Sequence, residues 1–106
     1  MAITLDADDA VDVTLNASNA QVVQDADGNA IKPEWLILRG AGTAVVVYVE
    51  AGGVLTDGAA TGSAGGRKWD RAVAADDEQW VWCRGREVAL SGAAATAISI
   101  EAVTLL

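Results

Sequence analysis

Hydrophobic residues recur at every second position along much of this chain. Ile3 and Leu5, then Val11, Val13 and Leu15, alternate with polar neighbours, the spacing of strands with one face on a core and one in water. Val22 and Val23 form a short stretch closed by Asp25-Ala26-Asp27-Gly28-Asn29, whose Gly and Asn accept the positive φ of a hairpin turn. Pro33 marks entry to a new element, because the residue before a proline is pushed toward extended geometry. Two runs then break the alternation. Trp35-Leu36-Ile37-Leu38-Arg39 and Thr43-Ala44-Val45-Val46-Val47-Tyr48-Val49, joined by Gly40-Ala41-Gly42, are almost continuously apolar, as strands covered on both faces are. Covering both faces of a small sheet takes a second sheet and a neighbouring subunit, or an unusual bend.

From Gly52 to Gly66 the pattern is that of a surface excursion with little to pack, interrupted by a short strand at Val54-Leu55. Trp69 opens the next extended segment, Ala74-Ala75-Asp76-Asp77 makes a turn, and Trp80-Val81-Trp82-Cys83-Arg84 is a further strand. The last strand runs from Thr96 to Leu106. Ile98 and Ile100 mark one of its faces and Val103 and Leu105 the other, which predicts a bulge near Glu101-Ala102. Arg71 to Glu78 would accommodate one helical turn, but no segment carries an i, i+3, i+4, i+7 stripe. The expectation is an all-β chain forming one domain over residues 1–106. Its form is a small antiparallel β-sandwich or jelly-roll-like barrel of about eight short strands.

The chain also echoes itself. Glu34-Trp35-Leu36-Ile37-Leu38-Arg39-Gly40 resembles Gln79-Trp80-Val81-Trp82-Cys83-Arg84-Gly85, and Thr43 to Ala51 resembles Thr96 to Ala102. Each unit reads strand, Arg-Gly turn, strand. The echo predicts paired antiparallel hairpins rather than a solenoid, which would need at least about three repeats.

Composition removes whole classes of chemistry. The chain has no His, so it has no His-based triad and no His-ligated metal. Its single Cys, Cys83, forms neither an internal disulfide nor a redox pair, and reads as a small buried apolar residue. A formal charge of −8 argues against nucleic acid as a partner. No apolar run reaches about 18 residues, so no membrane span is expected. The N-terminal stretch lacks the basic and apolar regions of a signal peptide, which points to synthesis in the cytoplasm. Gly62-Ser63-Ala64-Gly65 is not a nucleophile elbow, and Gly65-Gly66-Arg67-Lys68 lacks the spacing of a phosphate loop. No catalytic residue and no cofactor is expected.

Two features remain as candidates for binding. Asp25, Asp27 and Asn29 alternate as calcium ligands do, though the later carboxylate of a full loop is missing and a hairpin turn explains the same residues. The Asp6, Asp8, Asp9 and Asp12 cluster reads as a solvated acidic edge that protects a strand from unwanted pairing. Four Trp with no Phe is the more unusual feature. Trp80 and Trp82, two apart on a strand, share a face, and Trp69 follows the basic Arg67-Lys68 pair. Trp69, Trp80, Trp82 and Arg67 are therefore the candidate contact residues, for a subunit or partner surface or for stacking on sugar rings.

The chain from Glu34 to its end resembles small β-sandwich proteins of tailed-bacteriophage virions, of the head-decoration and spike-base kind. The resemblance is carried by Trp35 to Gly40 with Thr43 to Val49, the Gly-rich connector, Gly65-Gly66-Arg67-Lys68-Trp69, Gln79 to Cys83, and Thr96 to Ile100. It implies a non-enzymatic structural protein on the capsid surface. Such a protein is a symmetric oligomer, most often a trimer, that binds the major capsid protein or other virion proteins and stabilises the head. A carbohydrate- or receptor-binding module using the exposed Trp is the alternative, and a tail or neck accessory protein is a third.

Overall fold

The computed structural model describes residues 3–5, 10–51, 55, 66–92 and 96–103, and strands form both where apolar residues alternate and where they run continuously. Nine occur among these residues: β1 (Ile3–Thr4), β2 (Val11–Leu15), β3 (Gln21–Gln24), β4 (Trp35–Arg39), β5 (Thr43–Val49), β6 (Arg67–Val73), β7 (Glu78–Trp82), β8 (Val88–Gly92) and β9 (Thr96–Val103). They build two sheets, one in the order β1-β3-β8-β5-β6 and the other β2-β9-β4-β7. All pairings are antiparallel except β1 with β3, which is parallel. The chain is thus all-β, and its two sheets enclose one core as in a β-sandwich. Leu36 and Leu38 of β4, Val45 and Val47 of β5, Leu90 of β8 and Ile98 and Ile100 of β9 meet there.

The two continuously apolar strands are covered on their outer faces by the chain itself. Tyr48 of β5 packs with Ala20, Val22 and Ala89 in a second, smaller cluster outside the first sheet, and Leu55 closes over it. Leu55 is buried rather than part of a surface strand, so the excursion supplies a lid residue that its glycine-rich composition concealed. On β4, Ile37 points away from the core yet is only 2% exposed. Its neighbours on that face are described below.

Two expectations about the ladder are corrected. β9 stays in unbroken register with β4, from Arg39 opposite Ser99 to Trp35 opposite Val103, so no bulge interrupts Glu101-Ala102. Plain alternation suffices: Ile98 and Ile100 face the core, and Val103 lies opposite Trp35 on the outer face. The Arg-Gly turns are not hairpins either. β4 and β7 lie in the second sheet, and each Arg-Gly turn carries the chain across to β5 or β8 in the first. Since β4 pairs with β7 and β5 with β8, the echo marks two equivalent corners of the sandwich. The spatial counterpart of β5 is β8, not β9.

Candidate functional site

The outer face of the second sheet is set by alternation. Trp35, Ile37 and Arg39 on β4 stand opposite Trp82, Trp80 and Glu78 on β7, and opposite Val103, Glu101 and Ser99 on β9. Trp35 meets Trp80 edge to face at 6.1 Å and lies beside Trp82 at 6.5 Å. Such contacts between offset aromatic rings add to the area they bury. Ile37 lies opposite Trp80 on this face and is only 2% exposed, while Trp35 is partly buried and Trp80 and Trp82 remain open to solvent, at 51% and 53% exposure. The patch is pinned at both ends by charge. The Trp82 indole N–H donates to Glu34 Oε1 at 3.1 Å. Arg39 bridges Glu78 at 2.6 Å and Glu101 at 3.1 Å. These bonds raise the Arg39 pKa, with Glu101 the larger cause, and Arg39 in turn lowers that of Glu78.

A groove begins where this face ends. β6 is the edge of the first sheet and β7 the edge of the second, on the same side of the sandwich, and the groove runs between them. Trp69, Trp80, Trp82 and Arg67, the four residues singled out from sequence, all line it, together with Lys68, Arg71 and Arg84. Trp69 is partly buried against the core, whereas the four basic residues are exposed. Arg71 lies over the Trp69 ring at 5.7 Å, and Arg84 over the Trp82 ring at 4.7 Å. A guanidinium stacked this way keeps its in-plane N–H donors directed outward, where a carboxylate can accept them. Among the described residues none of these four cations forms an ion pair.

Arg84 holds its place through an uncommon backbone state. Its φ is +60° and that of Gly85 is +68°, and Arg86 N–H donates to Cys83 O at 3.0 Å, closing the turn. A side chain in this left-handed region costs about 1–2 kcal/mol. The turn aims Arg84 back onto Trp82. Sequence reasoning passed over Arg71 and Arg84, although Trp69-Asp70-Arg71 and Trp82-Cys83-Arg84 repeat Trp-x-Arg: within β6 a spacing of two puts both side chains on one face, whereas β7 ends at Trp82 and it is the turn that returns Arg84 to the ring.

The other candidates have local roles. Asp25 Oδ1 accepts the backbone N–H groups of Asp27 and Asn29, both at 3.0 Å, and Gly28 carries a φ of +84°. The Asp25 carboxylate is thereby committed to its own turn. Among the described residues no group of three His, Cys, Asp or Glu side chains converges as metal ligands would. Cys83 is fully buried, and burial pushes its thiol up to about 12. Asp12 is exposed on β2, while Asp6, Asp8, Asp9 and Ser63 lie outside the described residues. Comparison with protein-family models, curated proteins and solved structures finds no match to this chain.

Proposed function

We propose that this chain is a non-enzymatic structural protein of a tailed-phage virion, which docks as a symmetric oligomer, a trimer in the simplest case, on the surface of the head and stabilises it. The observation that carries this reading is the tryptophan face. Trp80 and Trp82 stand half in solvent against the partly buried Trp35, on the face where Ile37 is buried, and charged Glu34, Arg39, Glu78 and Glu101 flank them. Aromatic anchors with a charged rim are the anatomy of a protein interface. The resemblance of the chain from Glu34 onward to decoration proteins supplies the partner, the major capsid protein. Several copies bound across neighbouring capsid subunits would tie them together through multivalency.

The test is co-sedimentation of the purified protein with phage heads that lack it, followed by heating of the heads. Bound protein with a raised rupture temperature supports the reading, and Trp80→Ala/Trp82→Ala should abolish binding while circular dichroism stays that of the parent. Heads that neither bind the protein nor gain heat resistance overturn it.

One observation favours a second reading. Trp80 and Trp82 present about half of their surface side by side, as a sugar-stacking platform does. Tryptophan fluorescence titrated with host-surface polysaccharide tests this, and an unchanged spectrum at millimolar sugar removes it.

A further inference from the structure

Strand β6 turns a patterned wall toward the groove. Arg67, Trp69 and Arg71 stand opposite Val49, Val47 and Val45 of β5, whose side chains lie in the core, so period two gives all three the same side. The wall reads cation, indole, cation, and its two arginines are four residues apart, about 13 Å along the strand. Trp80, Trp82 and Arg84 face it from β7 and the corner beyond. All four tryptophans of the chain line this groove of about 310 Å³, and among the described residues no acidic one does. Yet acidic residues are plentiful on the same edge. Asp70 stands opposite Val46, on the outer face of the first sheet. Asp76, Asp77 and Glu78 border a separate hollow beside Arg39, and Arg39 pairs with Glu78. Glu34 accepts the Trp82 indole N–H. Carboxylates are thus kept off the groove wall, while its arginines have no ion pair among the described residues.

We propose that this groove binds an anionic polysaccharide, its rings laid on the indoles and the carboxylates of its acidic sugars accepted by Arg67, Arg71 and Arg84. This rests on the sugar-stacking reading above, and names the charge class of the sugar and the place where it binds. Position and charge select the occupant. The groove opens between the edges of two sheets, and packed sheets stand about 10 Å apart, so a ligand in it lies between their planes and continues neither ladder. Recognition falls to side chains, which disfavours a peptide added as a further strand. Indole faces take the apolar face of a sugar ring, and guanidinium forks take carboxylates bidentately. The alternation of cation and indole suits acidic groups with a neutral ring between them. A nucleic acid strand carries a charge at every unit, and outside the groove it would meet Asp70 and Glu78 on a molecule of charge −8. Cations on an edge strand also discourage unwanted pairing, but charge alone serves that purpose. It explains neither the guanidinium groups stacked on Trp69 and Trp82 nor the absence of carboxylates from the wall.

The test is titration calorimetry of the full chain, at low ionic strength, with hyaluronan oligosaccharides and with their carboxyl methyl esters. In hyaluronan each acidic sugar alternates with a neutral one, and the ester keeps the rings but removes the charge. The acid should bind, and the ester should bind about tenfold more weakly or worse, as expected for the loss of a charge-assisted bond. Arg67→Gln/Arg71→Gln should weaken binding of the acid by a similar factor with an unchanged circular dichroism spectrum, whereas Lys32→Gln, outside the groove, should not. The ester comparison is made on the parent, so it stands whatever a variant does to folding. Equal affinity for acid and ester overturns the inference and leaves the neutral stacking platform standing. Binding of neither overturns it as well, and the platform is then judged by the host polysaccharide alone. Poly-glutamate or oligo-deoxythymidylate bound as tightly as the acid also overturns it, because the groove would then accept any polyanion.

Discussion

At Arg84 a backbone penalty and a side-chain contact are bound together. A glycine there would adopt a φ of +60° without strain, so Arg84→Gly should leave the melting temperature unchanged or raise it. The same change removes the guanidinium from the Trp82 ring and a donor from the groove. The proposed head binding through the tryptophan face, followed by co-sedimentation, should therefore weaken while the fold does not, and an equal loss of both would assign Arg84 to folding alone. One residue upstream, Cys83 tests the interior. Its thiol lies 3.3 Å from the Val81 carbonyl with no exposure, and burial raises its pKa from an ordinary value of 9.0 to about 12. The sign follows directly. The unfolded thiol ionises first, so stability is complete below pH 9.0 and is lost as pH rises toward 12. Each pH unit in that span removes up to about 1.4 kcal/mol. Native protein at about pH 8 should be inert to a thiol reagent that reacts fully after denaturation. Reaction of the folded chain at the denatured rate would contradict the burial.

Strand β6 depends on how it begins. Gly66 has a φ of +75°, and a Cβ there would overlap the Val49 carbonyl and press on Leu55. Gly66→Ala should destabilise the fold by about 1–3 kcal/mol, measured by chemical denaturation, and should disturb the adjoining Arg67. No change in stability would mean that β6 does not start where it is placed. The elements differ in how plainly the sequence announces them. β2, β4, β5, β7 and β9 are legible because branched and aromatic residues alternate or run continuously. β8 is not, although it is central to the first sheet and buried at every position. Its Ala89, Ser91 and Gly92 are small because both faces are crowded: a Cβ on Gly92 would lie 2.9 Å from Thr96 and 3.2 Å from Leu15. Close packing selects the residues that look least like a strand. The site was legible in part for the same kind of reason. Composition exposes Trp69, Trp80 and Trp82, but β6 and β7, although joined by the short turn Ala74 to Asp77, lie in different sheets, and only the sheet order shows that a groove rather than a ladder separates them. Asp25 shows the converse, since its ligand-like spacing is also the spacing of a self-bonded turn.

Viewed whole, the molecule pairs an apolar surface with a charged one, and salt separates their roles. The tryptophan face is apolar at its centre, so a contact made through it buries indole and gains little from ionic attraction. The groove between β6 and β7 is lined by exposed Arg67, Lys68, Arg71 and Arg84, and charges in solvent are screened over about 10 Å at 0.1 M salt and about 3 Å at 1 M. If the proposed docking on heads runs through the tryptophan face, raising salt from about 0.05 M to about 0.5 M should leave co-sedimentation nearly unchanged, and Arg67→Glu/Arg71→Glu should bind as the parent does. Were binding to collapse with salt or with the charge reversal, the tryptophan face would not be the surface that meets the head, and the groove would have to serve that contact.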